Sequence, residues 1–182
     1  MFQQLSESLY VSSDIRTKEA TDFLHTTASL DILSDAVTAL VAPKQYDCGK
    51  AAITCLKEGD HLDRHLPAVD LWNSVWSGFA LIVNRETPFH RDMGGAPSDY
   101  DLLLSGGTHT ECFLGICELG LKLRYLPGTG IAIAGRVLRH GVNDWSGGER
   151  ICQAMFIKDS VHNRLGQPRP SWVLQGDYFA QS

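Results

Sequence analysis

Apolar residues in the first third of the chain recur at helical spacing. In TKEATDFLHTTASLDILSDAVTALVA they stand at Phe23, Leu24, Leu30, Leu33, Val37, Leu40 and Val41, near the i, i+3, i+4, i+7 spacing of one helix face. Pro43 ends that pattern, because proline lacks an amide hydrogen and clashes with the turn before it. A second helix is expected over CGKAAITCLKEGD, after which the polar EGDHLDRHLP leads out of the helical region toward VDLWNSVWSG.

From Ser77 onward the texture changes to short apolar runs punctuated by Gly, Pro, Asn and Asp, which reads as a compact β unit. Eight strands are expected: FALIVN (79–84), the segment around His90, DLLLS (101–105), CFLGIC (112–117), LKLRYL (121–126), GIAIAG (130–135), VLRHGV (137–142) and ERICQAMFI (149–157). The fold class that follows is α+β: a double-stranded β-helix, or jelly roll, with N-terminal helices packed on one sheet and the other end open for a site. The expected organisation is one domain over 1–182, with a helical layer at 1–76, the jelly-roll core at 77–157 and a C-terminal extension at 158–182.

A chain of 182 residues that is 43% hydrophobic has the size of one domain with one substantial core. It has no run of 18 apolar residues, and MFQQLSESLY lacks the basic start and apolar centre of a secretory signal. A soluble intracellular protein is therefore expected. The five cysteines Cys48, Cys55, Cys112, Cys117 and Cys152 include no C-x-x-C pair and read as reduced, mostly buried side chains. The formal charge of −5 argues against a general polycation, but it is unevenly spread. Residues 1–119 carry 8 Lys/Arg against 17 Asp/Glu, whereas 120–170 carry 8 against 3. A polyanion would approach the second half; the alternative is that this asymmetry is only a solvated face.

His90 and Asp92 lie one residue apart just after Pro88, in a segment where strand geometry sends both side chains to one face. His140, some fifty residues on, is placed as the far histidine of the same site. Two imidazoles and one carboxylate leave three positions open on an octahedral metal, which suits Fe(II) holding a bidentate 2-oxo acid and O2. Zinc more often takes a closed tetrahedral set. H-x-D alone also arises by chance, so its company carries the reading. Arg150 stands ten residues beyond His140, after a turn expected over Trp145-Ser146-Gly147-Gly148. Its planar guanidinium can grip the distal carboxylate of 2-oxoglutarate bidentately. The bland alternative is a surface strand arginine, with Arg85, Arg136 or Arg139 as the anchor instead.

H-x-D, a distant His and an Arg ten residues later resemble the 2-oxoglutarate oxygenase superfamily in its prolyl-hydroxylase-type spacing. Within it, NRETPFHRDMGG, the Gly106-Gly107 turn, LRYLPGTGIAIAGRVLRHGV and GGERICQAMFIKDSVH resemble the fungal branch of the TET/JBP DNA-base oxygenases. The resemblance implies a dioxygenase using Fe(II), 2-oxoglutarate and O2 that oxidises the methyl group of 5-methylcytosine, or a related methylated base, in DNA. Succinate and CO2 would be the co-products, methylated DNA the partner, and the nucleus the expected compartment. The long Cys-rich zinc-binding extension of the animal members is absent, and Gly95 stands where they carry an Asn that helps read the base. Gly95 is thus the substrate-side position that the resemblance implies.

Asn84, at the end of an apolar strand, is expected either to face the cavity and bond 2-oxoglutarate or substrate, or to be a turn residue. His109, in GGTHTE, either contacts the proximal carboxylate or a phosphate or, as is commoner for a histidine in a Gly-Thr turn, is exposed. The loop MGGAPSDY (93–100) is small and flexible in composition and either shapes the substrate mouth or closes over a flipped base, or simply connects. Trp145 either stacks a base or packs at the rim. His25, His61, His65 and His162 have no spacing that recommends them.

Two rivals to the DNA-base reading remain. The same iron centre would serve a hydroxylase of protein side chains or small molecules, which the acidic overall charge favours. A degenerate jelly roll that only reads nucleic acid or peptides is the less economical case, since it has no chemical reason to keep all four iron and co-substrate residues together.

Overall fold

The computed structural model describes residues 9–59, 67–172 and 174. His61, His65 and most of the expected polar exit from the helical region lie outside them, as does nearly all of the chain beyond Trp172. The described residues form two compact units: one runs to Trp76 and includes Ser160–Pro168, the other comprises Ser77–Asp159 and the residues from Arg169.

The first unit contains α1 (Lys18–Val41), α2 (Pro43–Glu58), α3 (Pro67–Leu71) and nearly all of α4 (Asp159–Leu165). Thr17 caps α1, its Oγ1 accepting from the Ala20 amide at 3.2 Å. Pro43 ends α1 as expected and also opens α2, since the first turn of a helix has no use for its missing amide hydrogen. The second helix thus starts five residues before the expected segment. The apolar stripe of α1 does not coincide with its buried side. Leu33 and Leu40 are exposed, whereas Asp31, Ser34 and Thr38 are buried with Leu24. Asp35 supplies a reason: its carboxylate accepts from the Ser74 hydroxyl at 3.0 Å and the Val75 amide at 3.1 Å, which turns the polar side toward the segment before the β unit.

The second unit is two antiparallel sheets. One has the order β1-β9-β3-β6, where β1 is Gly78–Val83, β9 Arg150–Phe156, β3 Asp101–Gly107 and β6 Gly130–Ile133. The other runs β2-β7-β4-β5, with β2 at Thr87–His90, β7 at His140–Val142, β4 at Glu111–Ile116 and β5 at Leu121–Arg124; β8 (Trp145–Ser146) pairs with β4 outside that path. Together with the helices this is the expected α+β, jelly-roll type of architecture. Alternation along β4 shows how the core forms. Cys112, Leu114 and Ile116 are buried while Glu111 and Phe113 are exposed, the period of two that a half-buried strand requires. Leu103, Ile133 and Cys152 from the first sheet meet Cys112, Leu114, Ile116 and Val142 from the second, with Tyr125 among them.

Two expectations change. Trp145-Ser146 is a strand paired with Cys112 and Glu111, so the turn contracts to Gly147 and Gly148, both at positive φ. Residues 137–139 are not strand: the Val137 and Leu138 amides both donate to the Ala134 carbonyl at 2.9 Å, a tight turn that leaves only His140–Val142 extended. Of the cysteines, all free, only Cys112 and Cys152 are buried; Cys117 is exposed.

Candidate metal centre and co-substrate cavity

β2 and β7 pair antiparallel, with His90 the register partner of His140. Asp92 lies two residues past the end of β2, where its amide donates to the Gly135 carbonyl at 3.0 Å. The three side chains converge. His90 Nε2 is 3.2 Å from Asp92 Oδ1, His140 Nε2 is 3.4 Å from Asp92 Oδ2, and one ligand atom from each residue falls within a 4.8 Å cluster. His140 is buried at 3% exposure, whereas the His90 and Asp92 side chains keep 41% and 37%. A site walled on one side and open on the other results.

The tautomers are set by the backbone. His90 Nδ1 lies 2.8 Å from the Pro88 carbonyl and His140 Nδ1 3.0 Å from that of Leu138. A carbonyl can only accept, so each Nδ1 carries the proton and each Nε2 lone pair faces Asp92, the arrangement that metal-binding histidines need. Close packing supports the carboxylate: a Cβ on Gly135 would lie 2.7 Å from Asp92 Oδ2 and collide with the Asp101 carboxylate. Asp101 is buried, and that burial, followed by the charges of Asp92 and Asp99, pushes its pKa up to about 8. Burial thus biases Asp101 toward its protonated form, which can donate to the Asp92 carboxylate.

A cavity of about 320 Å³ begins at this triad and runs between the sheets to Arg150. Arg150 is 1% exposed. One of its terminal nitrogens donates to the Arg85 carbonyl at 2.8 Å and the other to Thr87 Oγ1 at 3.4 Å, but Nε has no partner. No carboxylate among the described residues pairs with it. A buried, incompletely bonded cation is costly unless an anion joins it. Tyr125, fully buried, lines the same cavity, and its hydroxyl lies 3.4 Å from Cys152 Sγ. Burial pushes the Tyr125 phenol up, so it stays a donor.

The softer expectations divide. Asn84 is not among the cavity-lining residues: it sits in the left-handed region at φ 48, and its Oδ1 accepts from the Arg150 amide at 2.8 Å. It is the turn residue of the two readings, holding the base of Arg150. Trp145 also lies off the cavity wall, its ring 5.8 Å from the Arg150 guanidinium carbon and packed against the core. Gly95 does line the cavity, and its carbonyl accepts from Arg136. His109 is not exposed but 2% accessible, with ring nitrogens 3.2 Å from the Glu149 carbonyl and 3.0 Å from that of Tyr125. It is drawn in because it can tie the two chain segments behind Arg150. His162 is likewise buried, against the Pro168 carbonyl.

Sequence reasoning missed Asp101 and Tyr125. The signal for Asp101 was a carboxylate opening the otherwise apolar DLLLS strand. Tyr125 had none, because its value lies in which residues surround it.

An antiparallel double sheet with a His-Asp-His cluster at one end of its cavity and a buried arginine at the other defines the class of metal-dependent oxygenase jelly rolls. Residues 5–159 match the Tet_JBP family, the oxygenase domain of the 2OGFeDO superfamily, and the chain belongs to that family. The matched region is accordingly an oxygenase domain of the kind that uses Fe(II), 2-oxoglutarate and O2. No curated protein matches it in sequence. Among solved structures it is similar to NgTET1 in complex with 5mC DNA, at 15% identity and a TM-score of 0.62, over 94% of this chain and 62% of that one. The chain thus spans less than two thirds of that protein's length. A Cupin 2 conserved barrel domain protein from Salinispora arenicola is a slighter match, at 14% identity and a TM-score of 0.34 over 52% of this chain and 76% of that one. Among the described residues no helix is long and apolar enough to cross a membrane.

Proposed function

We propose that this chain oxidises the methyl group of 5-methylcytosine, or of a related methylated base, in DNA. His90, Asp92 and His140 would hold Fe(II), and Arg150 would take the distal carboxylate of 2-oxoglutarate. The observation that carries the co-substrate assignment is the unpartnered Nε of a buried Arg150 in the cavity that ends at the triad. A 2-oxo dicarboxylic acid has a chelating end for the metal and an anionic end for the guanidinium, so it answers both. Bound by His90, Asp92 and His140, Fe(II) would supply activation of O2 coupled to decarboxylation of 2-oxoglutarate to succinate and CO2.

The protein's own residues do the rest. The Pro88 and Leu138 carbonyls keep both Nε2 lone pairs aimed at one point. Asp101 steadies Asp92 by a hydrogen bond, and the apolar walls, Ile82, Leu103, Leu114 and Val142 among them, exclude water from the reacting end. Support for DNA comes from the Tet_JBP family and from the likeness to a structure solved with 5mC DNA. The excess of Lys and Arg in residues 120–170 adds to it. The test is mass spectrometry of succinate and oxidised base on DNA carrying 5-methylcytosine or 6-methyladenine, beside methylated or proline-containing peptides. Oxidised base with stoichiometric succinate is expected. Turnover of the peptides alone would replace this reading with a protein hydroxylase.

A further inference from the structure

Met93 follows Asp92 directly and lines the mouth of the cavity, yet it is 68% exposed. Its backbone, unlike its side chain, is tied down through the carbonyls of the loop. The Met93 carbonyl accepts from Arg136 at 3.0 Å, that of Gly94 from the Asp159 amide at 2.8 Å, and that of Gly95 from Arg136 at 2.7 Å. Three consecutive carbonyls are satisfied, so the loop expected to be flexible presents one free side chain from a fixed base. Gly94 next to it has nothing within 4 Å of where a Cβ would stand, leaving room for another backbone to come close. Lys158, exposed at the same mouth, and the Arg136 guanidinium place cations around the tip.

An apolar tip on a loop whose carbonyls are tied down, with Lys158 and Arg136 beside it and the metal ligand one residue away, suits a stacked, phosphate-bearing partner. We propose that Met93 is a wedge that enters duplex DNA at the position vacated by the target base while that base occupies the cavity. The inference rests on the DNA-base reading above and deepens it by naming the side chain that fills the gap left by the extruded base. An unbranched thioether can slide between base planes and fill an irregular gap, as apolar wedges do in kinked DNA. Extrusion costs stacking and pairing, and a group that fills the gap offsets part of that cost. The position beside Asp92 matters because the extruded base must reach the metal cluster through the opening that Met93 lines.

The experiment compares wild type, Met93→Ala and Met93→Leu on 5-methylcytosine in a paired duplex, in the same strand alone, and opposite an abasic site. The duplex-to-single-strand ratio of kcat/KM should fall about tenfold in Met93→Ala, the scale of one lost stacking contact, and stay near wild type in Met93→Leu. An abasic site opposite the target should restore the alanine variant's relative rate, because the base is then already loosened. In the duplex, 2-aminopurine beside the methylcytosine should brighten with wild type and much less with Met93→Ala. An unchanged ratio, or equal loss on both substrates, overturns the wedge while leaving the DNA-base reading intact. No wild-type turnover on any DNA overturns that reading and the wedge with it.

Discussion

His90 and His140 face each other as register partners across β2 and β7, their ring centroids 4.7 Å apart, each with Nδ1 bonded to the carbonyl two residues before it. The repeated i−2 bond makes the two imidazoles equivalent in tautomer although one is buried and the other half exposed. Neither ring can turn its Nε2 away without losing a hydrogen bond worth about 0.5–1.5 kcal/mol.

Removing a member of the triad should therefore abolish Fe(II)-dependent turnover while the sheets persist. His90→Ala, Asp92→Ala and His140→Ala are each expected to lose activity and stoichiometric iron, with circular dichroism close to wild type. Full activity in any one of them would remove that residue from the metal site.

Arg150→Lys keeps a charge but loses the planar fork, so half-saturation by 2-oxoglutarate should rise roughly tenfold to a hundredfold, as loss of a charge-assisted bond implies. Arg150→Ala should raise it further, and iron affinity should move far less in both. A titration of uncoupled succinate formation at saturating Fe(II) measures this. Wild-type half-saturation in both variants would pass the anchoring role to another cation.

Binding to methylated duplex should weaken as salt rises, because phosphate contacts release counterions. With eight Lys/Arg in residues 120–170 and a net charge of −5 on the whole chain, the slope should report only a few phosphates. Fluorescence anisotropy across a salt series reads it directly, and affinity indifferent to salt would contradict a phosphate-tracking surface.

The helical unit should show its own pH dependence. Burial, reinforced by the nearby charge of Asp35, raises Asp31 from 3.8 to about 6. A folded-state value above the unfolded one means that its contribution is fully present below the unfolded pKa and is lost as pH rises through about 6. Asp31→Asn should accordingly raise Tm by a few degrees near neutral pH, roughly 2–4 °C, and the gain should vanish below about pH 4. A gain that is the same at both ends of that range would show that Asp31 is not the titrating group.

Much of this protein was legible in linear order because the relevant physics is local. Short apolar runs between turn residues placed eight strands near their observed positions, and Pro43 marked the break between α1 and α2. The H-x-D pair worked for the same reason: residues 90 and 92 are neighbours whatever the rest of the chain does. Local reasoning failed where a distant partner outbid a local preference. Asp35 meets Ser74 and Val75, some forty residues on, and the buried side of α1 follows those bonds instead of its leucines. Trp145 and Ser146, expected in the turn with Gly147 and Gly148, became a strand because β4 offered an open edge. His109 went inward because the carbonyls of Glu149 and Tyr125 were there to receive it.

By itself, then, the sequence determined the periods, the breaks and the kinds of side chain available for chemistry. Only the tertiary structure decided which of them share a cavity. The triad and Arg150 are brought to one cavity by strand pairing across about forty to fifty-five residues, and Asp101 and Tyr125 owe their part in it to burial in that same fold. The reason is that hydrogen-bond order and hydrophobic period act over a few residues, whereas desolvation and charge coupling depend on what the fold brings within a few ångströms.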